Sequence, residues 1–163
     1  MKITTRQGDT GLTDIHGKRI SKTDLLMEVL GELDTLMAQI ILCSSLDASN
    51  RLDLIQIVED LTTLCSTLAG YTPDVDFTVH LNWIMEKIIA LEPKDNQFKF
   101  VYPYTNTIAA QYNLARTYAR TAERKCFKFA EERGMDANAL KYMNRLSDLF
   151  FIFMVRELKN ESK

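Results

Sequence analysis

From residue 24 onward, apolar residues recur every three or four positions, interrupted only by short polar, proline or glycine stretches. Leu26, Val29, Leu30, Leu33, Met37, Ile40 and Ile41 predict a long amphipathic helix from Asp24 to about Leu46. Ser49 and Asn50 are candidate caps for a second helix that ends near Ala69, where Gly70, Thr72 and Pro73 stop it. A third helix is predicted from about Thr78 to Leu91, closed by Pro93. Residues 94–103 read as a loop with a short extended piece from Phe98 to Tyr102. Asn106 should cap a fourth helix over Thr107–Arg133, with Gly134 just past its end, and Asp136 a fifth from Ala137 to about Leu158. In the fifth, Leu140, Met143, Ser147, Phe150, Phe151 and Met154 share one broad stripe. No convincing strand pair, internal repeat or low-complexity tract is visible. The pattern predicts an all-α fold, a five-helix bundle over residues 23–158 behind an N-terminal loop segment, residues 1–22.

Composition narrows this picture. A chain of 163 residues, 46% hydrophobic and 26% charged, suits one compact domain spanning 1–163. The net charge of −2 supplies no global basic field, which argues against a nucleic-acid partner. The front of the chain is nonetheless locally basic: Lys2, Arg6, Lys18, Arg19 and Lys22 outnumber Asp9 and Asp14. Cys43, Cys65 and Cys126 form no C-x-x-C pair and read as buried thiols of a reducing compartment. His16 and His80 stand alone, too few for a histidine metal site, and read as surface or packing residues. The longest apolar run, Leu149–Val155, is far too short to span a bilayer, and residues 1–22 hold no signal-peptide core, so the expectation is a cytoplasmic protein with no membrane partner.

Three stretches carry candidate chemistry. In TTRQGDTGLT, residues 4–13, Gly8 and Gly11 allow close backbone approach while Thr5, Thr10, Thr13 and Arg6 offer hydroxyls and a cation. That inventory suits a phosphate, although no Gly-Lys-Ser/Thr follows and the stretch equally suits an unstructured polar terminus. In ARTYARTAER, residues 115–124, Arg116, Arg120 and Arg124 fall on one helical face, either as an anion site or as a solvated face tempered by Glu123 and Glu131. In YMNRLSD, residues 142–148, Asn144 and Asp148 share a face, as a hydrogen-bonding clamp or a ligand site. Glu28 and Asp34 lie among apolar neighbours of the first helix, and a buried Asp34 would need a cation.

Taken in order, TRQGDTGLT, GKRISKTD at 17–24, EVLGELD at 28–34, ARTYARTAER and NRLSD at 144–148 resemble the helix-bundle type of ATP:cob(I)alamin adenosyltransferase over nearly the whole chain. The resemblance implies a five-helix bundle, a homotrimer with sites at subunit interfaces, that transfers the 5′-deoxyadenosyl group of ATP to cob(I)alamin. It implies that Thr5, Arg6, Gln7, Gly8, Thr13, Asp14 and Lys22 wrap the ATP, and that Arg120, Glu123 and Arg124 face it from the fourth helix. Asn144 would approach ATP and its Mg²⁺, while Asp34 would pair with Arg120 and hold its fork, making Arg120, Asp34 and Arg124 the residues closest to catalysis. Phe100 is a candidate for the apolar wall beneath the corrin, and a cobalamin-dependent enzyme or a reductase is a further implied partner. The aromatic girth of Phe150, Phe151 and Phe153 exceeds what one core-facing stripe requires, which fits a trimer.

Several positions depart from the family pattern. Tyr104 and Thr105 replace the glycines of a Pro-Gly-Gly turn, Asn113 stands for a histidine, Thr121 for the middle arginine of R-R-A-E-R, and Thr35 and Met37 for the glutamate and asparagine of D-E-L-N-S. They raise a second reading, a divergent relative that binds ATP or a corrinoid without the standard activity. A third is an interaction module with a disordered N-terminus.

Overall fold

A computed structural model describes residues 8–93 and 101–161. Helices α1 (Leu25–Leu46), α2 (Arg51–Leu68), α3 (Thr78–Leu91), α4 (Thr107–Arg133) and α5 (Ala137–Glu161) fall where the apolar periodicity puts them. The last runs three residues beyond the expected Leu158. Local chemistry explains the agreement at the starts. Asp24 accepts from the Leu26 N–H at 2.8 Å, Asn106 from Ala109 at 2.8 Å and Asp136 from Ala139 at 2.8 Å, each relieving an amide that the helix leaves unpaired.

Two expectations need correction. The chain does form a strand pair: β1 (Leu12–Ile15) and β2 (Lys18–Ser21) are antiparallel, with Thr13 opposite Ile20 and Asp14 opposite Arg19. The two-residue turn has positive φ at both His16 (47°) and Gly17 (73°), the mirror-image turn that matches strand twist. Periodicity missed it because the hairpin has no buried face: Leu12 is exposed and Ile15 and Ile20 only half-buried. The start of α2 is also built differently. Asn50 is the cap residue but makes no capping bond with its side chain. Asp47 accepts instead from the Ser49 and Asn50 amides, at 2.8 and 3.3 Å.

Asp47 is almost fully buried, and its second oxygen receives Asn50 Nδ2 at 2.7 Å and the Tyr112 hydroxyl at 2.6 Å. Burial alone would raise its pKa; the bonds from Tyr112, Asn50 and the two amides outweigh burial and hold the carboxyl below its ordinary value. A depressed folded-state pKa stabilises the fold above the unfolded carboxyl value of about 3.9 and loses that contribution as pH falls through the folded value. Tyr112→Phe should therefore cost about 2 kcal/mol in urea unfolding at pH 7 and move the acid transition to higher pH. An unchanged acid midpoint would mean the bond contributes nothing.

The helices pack in the spatial order α2, α1, α4, α5, α3. Ala109, Ala115, Ala119 and Ala122 of α4 are fully buried, and their small side chains let α1 and α5 approach closely. Phe150 and Phe153 fill this chain's own core at 0% exposure, so they leave no spare girth for a neighbour; Phe151 is half-buried. Exposed apolar side chains lie elsewhere, among them Ile41, Leu42 and Leu46 of α1 and Leu52 and Ile55 of α2. Cys43 and Cys126 are buried and Cys65 half-buried, all as free thiols.

A second buried network ties α2, α3 and α5 together. Asp60, 1% exposed, receives Gln56 Nε2, the Tyr142 hydroxyl and His80 Nδ1, each at 2.8 Å. His80 is thus a packing residue with a carboxylate partner. Burial, then the Asp60 charge, pushes the Tyr142 phenol well above its usual pKa, so it stays a donor.

Candidate functional site

The residues singled out by sequence fall into two groups on one chain. The first belongs to the hairpin. Thr5, Arg6 and Gln7 lie outside the described residues, as does Phe100. Gly8 faces Lys22: a Cβ there would stand 2.8 Å from Lys22 Nζ, so any larger residue would displace the lysine's tip. The Lys22 amide donates to the Gly11 carbonyl at 2.9 Å, closing the base of the hairpin. Thr13 is half-buried, and Asp14 is exposed and paired with Arg19 at 3.2 Å.

The second group lines a groove of about 470 Å³ between α4 and α5: Arg120, Glu123, Arg124, Phe127, Lys128, Glu131 and Asn144. Asn144 Nδ2 donates to Glu123 Oε1 at 2.6 Å, so the asparagine is oriented by the glutamate and Asp148 turns away to Arg145 at 2.9 Å. Asn144 and Asp148 thus do not act as one clamp. Arg124 Nη2 donates to Thr121 Oγ1 at 3.2 Å, so the residue that departs from the family's second arginine steadies this one. Arg120 is exposed and makes no hydrogen bond or ion pair among the described residues. Arg116 leaves the row: its Nε and Nη2 both donate to Asn113 Oδ1, at 3.1 and 3.0 Å, and partial burial, with Arg120's charge behind it, holds its pKa below the usual arginine value.

Asp34 does not pair with Arg120 within the chain. It is exposed on α1, and its charge adds to burial in pushing the Cys65 thiol up to about 11. Where α1 meets α4, Glu28 pairs with Lys125, so Glu28 is exposed and ion-paired rather than embedded among apolar residues. Lys125 lies five residues beyond Arg120, about 140° around the helix, which turns Arg120 away from α1. Phe127 and Lys128 were not singled out by sequence, although Lys128, four residues after Arg124, continues the arginine spacing by one turn.

Among the described residues no group of three His, Cys, Asp or Glu side chains could hold a metal ion, and no helix is long and apolar enough to cross a membrane. The groove can therefore offer two guanidiniums, an ammonium and an oriented amide to an anion, with Glu123 and Glu131 beside them.

The cobalamin adenosyltransferase family matches residues 3–157. A cobalamin adenosyltransferase of Cupriavidus metallidurans is 32% identical over 93% of this chain and 85% of its own length. The corrinoid adenosyltransferase PduO of Salmonella typhimurium is 31% identical over 93% of this chain, which spans about half, 48%, of that longer protein. Among solved structures, a variant of the PduO-type ATP:corrinoid adenosyltransferase from Lactobacillus reuteri, complexed with cobalamin and ATP, is 28% identical with a TM-score of 0.83 over 94% of this chain and 89% of that one. A second variant of it, complexed with ATP, has a TM-score of 0.85 at 28% identity, over 98% and 94% of the two chains. With the family matched over almost the full length and the fold shared with these structures, the chain belongs to the cobalamin adenosyltransferases.

Proposed function

We propose that the protein transfers the 5′-deoxyadenosyl group from ATP to cob(I)alamin, forming adenosylcobalamin and releasing triphosphate. The observation that carries this is the α4–α5 groove, where Arg120, Arg124 and Asn144, matched by the family's own motifs, line one cavity in a chain similar to proteins complexed with ATP and cobalamin. In this reaction Co(I) is the nucleophile: its electron pair forms the cobalt–C5′ bond, the C5′–O bond breaks, and the triphosphate leaves with the pair of the broken bond. No protein base is needed. The chain's task is to align the reactants and stabilise charge on the leaving group, which Arg120, Arg124 and Lys22 do as fixed cations. Mg²⁺ fits as a companion of the triphosphate, since it binds through phosphates and one or two carboxylates and Glu123 and Glu131 stand in the groove.

Among the described residues no hydrogen bond or ion pair joins Gly8, Thr13, Asp14 or Lys22 to Arg120, Glu123, Arg124 or Asn144, and Asp34 is exposed and not paired with Arg120. This supports a site completed between copies, with Thr5, Arg6, Gln7, Gly8, Thr13, Asp14 and Lys22 of one chain facing Arg120, Glu123, Arg124 and Asn144 of another in a homotrimer. A cytoplasmic location, and a reductase or cobalamin-dependent enzyme as a further partner, accord with the reaction.

Anaerobic incubation with ATP, Mg²⁺ and reduced cobalamin should yield the absorbance of the cobalt–carbon product, and ATP should raise the melting temperature by the linkage of ligand to the folded state. Nucleotide stabilisation without product would favour the divergent relative suggested by Asn113, Tyr104 and Thr121. The absence of both effects would refute both readings.

A further inference from the structure

The β1–β2 hairpin carries Thr13 and Asp14 and leads into Lys22, yet it has no core to fix its position. A two-stranded ribbon is marginally stable by itself, so its place on the bundle depends on attachments. One is at its exit, where Arg133 forks onto the Asp24 carboxylate at 2.8 and 3.0 Å. A second is at its tip. The His16 amide donates to the Tyr71 hydroxyl at 3.0 Å, and the two rings meet edge to face with centroids 5.1 Å apart. Tyr71 is itself fixed: its amide donates to the Ser66 carbonyl at 2.9 Å, and Gly70, at φ 79°, turns the chain out of α2 with only hydrogen facing His16. Tyr71 is 61% exposed, so burial does not account for its position. His16 also holds a positive φ, which is costly for a residue with a Cβ, and the Tyr71 bond favours that conformation.

From this geometry we infer that Tyr71 is a positioning residue for ATP binding, holding the hairpin tip so that Thr13, Asp14 and Lys22 meet the nucleotide already in place. The inference rests on the functional reading above, in which those residues bind ATP. Its physical content is a population: loss of the tether lets the hairpin sample other positions, and apparent affinity falls by the fraction of chains still correctly placed.

Tyr71→Phe removes only the hydroxyl, and Tyr71→Ala removes the ring as well. In Tyr71→Phe, hydrogen exchange of the His16 amide should speed up and the Kd for ATP, by calorimetry, should rise roughly three- to tenfold, the worth of one modest hydrogen bond. Tyr71→Ala should weaken binding further. In both, the rate at saturating ATP should stay within about twofold of the parent, because the tether precedes the chemistry, and the nucleotide-free melting temperature should be unchanged. A merely structural tyrosine would lower the melting temperature and leave the ratio of KM to kcat alone. Faster His16 exchange with unchanged ATP affinity would overturn the inference, as would exchange that does not change. Failure of the unsubstituted protein to bind ATP would overturn the functional reading itself, and that titration separates the two failures.

Discussion

Replacing Arg120 by alanine should slow adenosyl transfer roughly a hundredfold, about 3 kcal/mol of transition-state stabilisation, while ATP binding falls much less. Arg120 has no partner among the described residues and shares its groove with Arg124 and Asn144, so its charge is free for the leaving triphosphate. The contact strengthens as C5′ separates from oxygen, which places the loss in kcat. In the proposed assembly Asp34 would act on the same guanidinium from another copy, since within one chain the two side chains are both exposed and do not pair. Asp34→Asn should therefore cost less, about 1–2 kcal/mol, and the double variant should lose less than the sum, since both changes disable one unit. Mixing the slowed Arg120→Ala chain with a charge-reversed Asp34→Arg chain should restore activity above that of either, because some interfaces then hold both original residues. A solvated Arg120 would instead leave turnover unchanged and stability within about 0.5 kcal/mol. Full activity in Arg120→Ala sinks the site; failure of the mixture to recover sinks the pairing across the interface.

Asp60→Ala should be the most destabilising single change in the bundle, lowering stability by about 3–5 kcal/mol and the melting temperature by about 10 °C. The carboxylate satisfies the Tyr142 hydroxyl, Gln56 and His80 at once, and Tyr142 is fully buried. Removing it leaves a phenol that cannot reach water and opens a void beside it. Asp60→Asn should cost less, because its amide oxygen can still accept from Tyr142. Tyr142→Phe should cost about 1 kcal/mol, since the carboxylate keeps two donors. The network also sets α5 two residues before Asn144, so its loss should blur the groove. Chemical denaturation of the three variants decides the matter: a loss below about 1 kcal/mol in Asp60→Ala would mean that the network is dispensable.

The sequence by itself determined where the helices lie and what most of their starts are made of. Asn106 and Asp136 could be placed as caps because a cap bond reaches only two or three residues along the chain, within the range that local pattern describes. The order of short motifs also brought Arg120, Glu123, Arg124 and Asn144 to attention, and the structure draws these four into one groove. Tertiary packing decided the rest. Asp47 holds the start of α2 while bonded to Tyr112, 65 positions away, and Asp60 joins Tyr142, 82 positions away. Such pairs depend on how helices are rotated against one another, and that rotation follows from filling the core rather than from any helix's own period. The same packing leaves Arg120 open and without an ion pair to Asp34. The hairpin escaped the sequence for a related reason: its strands bury no face, so alternation carried no signal, and it holds its place through Tyr71 and Arg133, which only the folded bundle brings near.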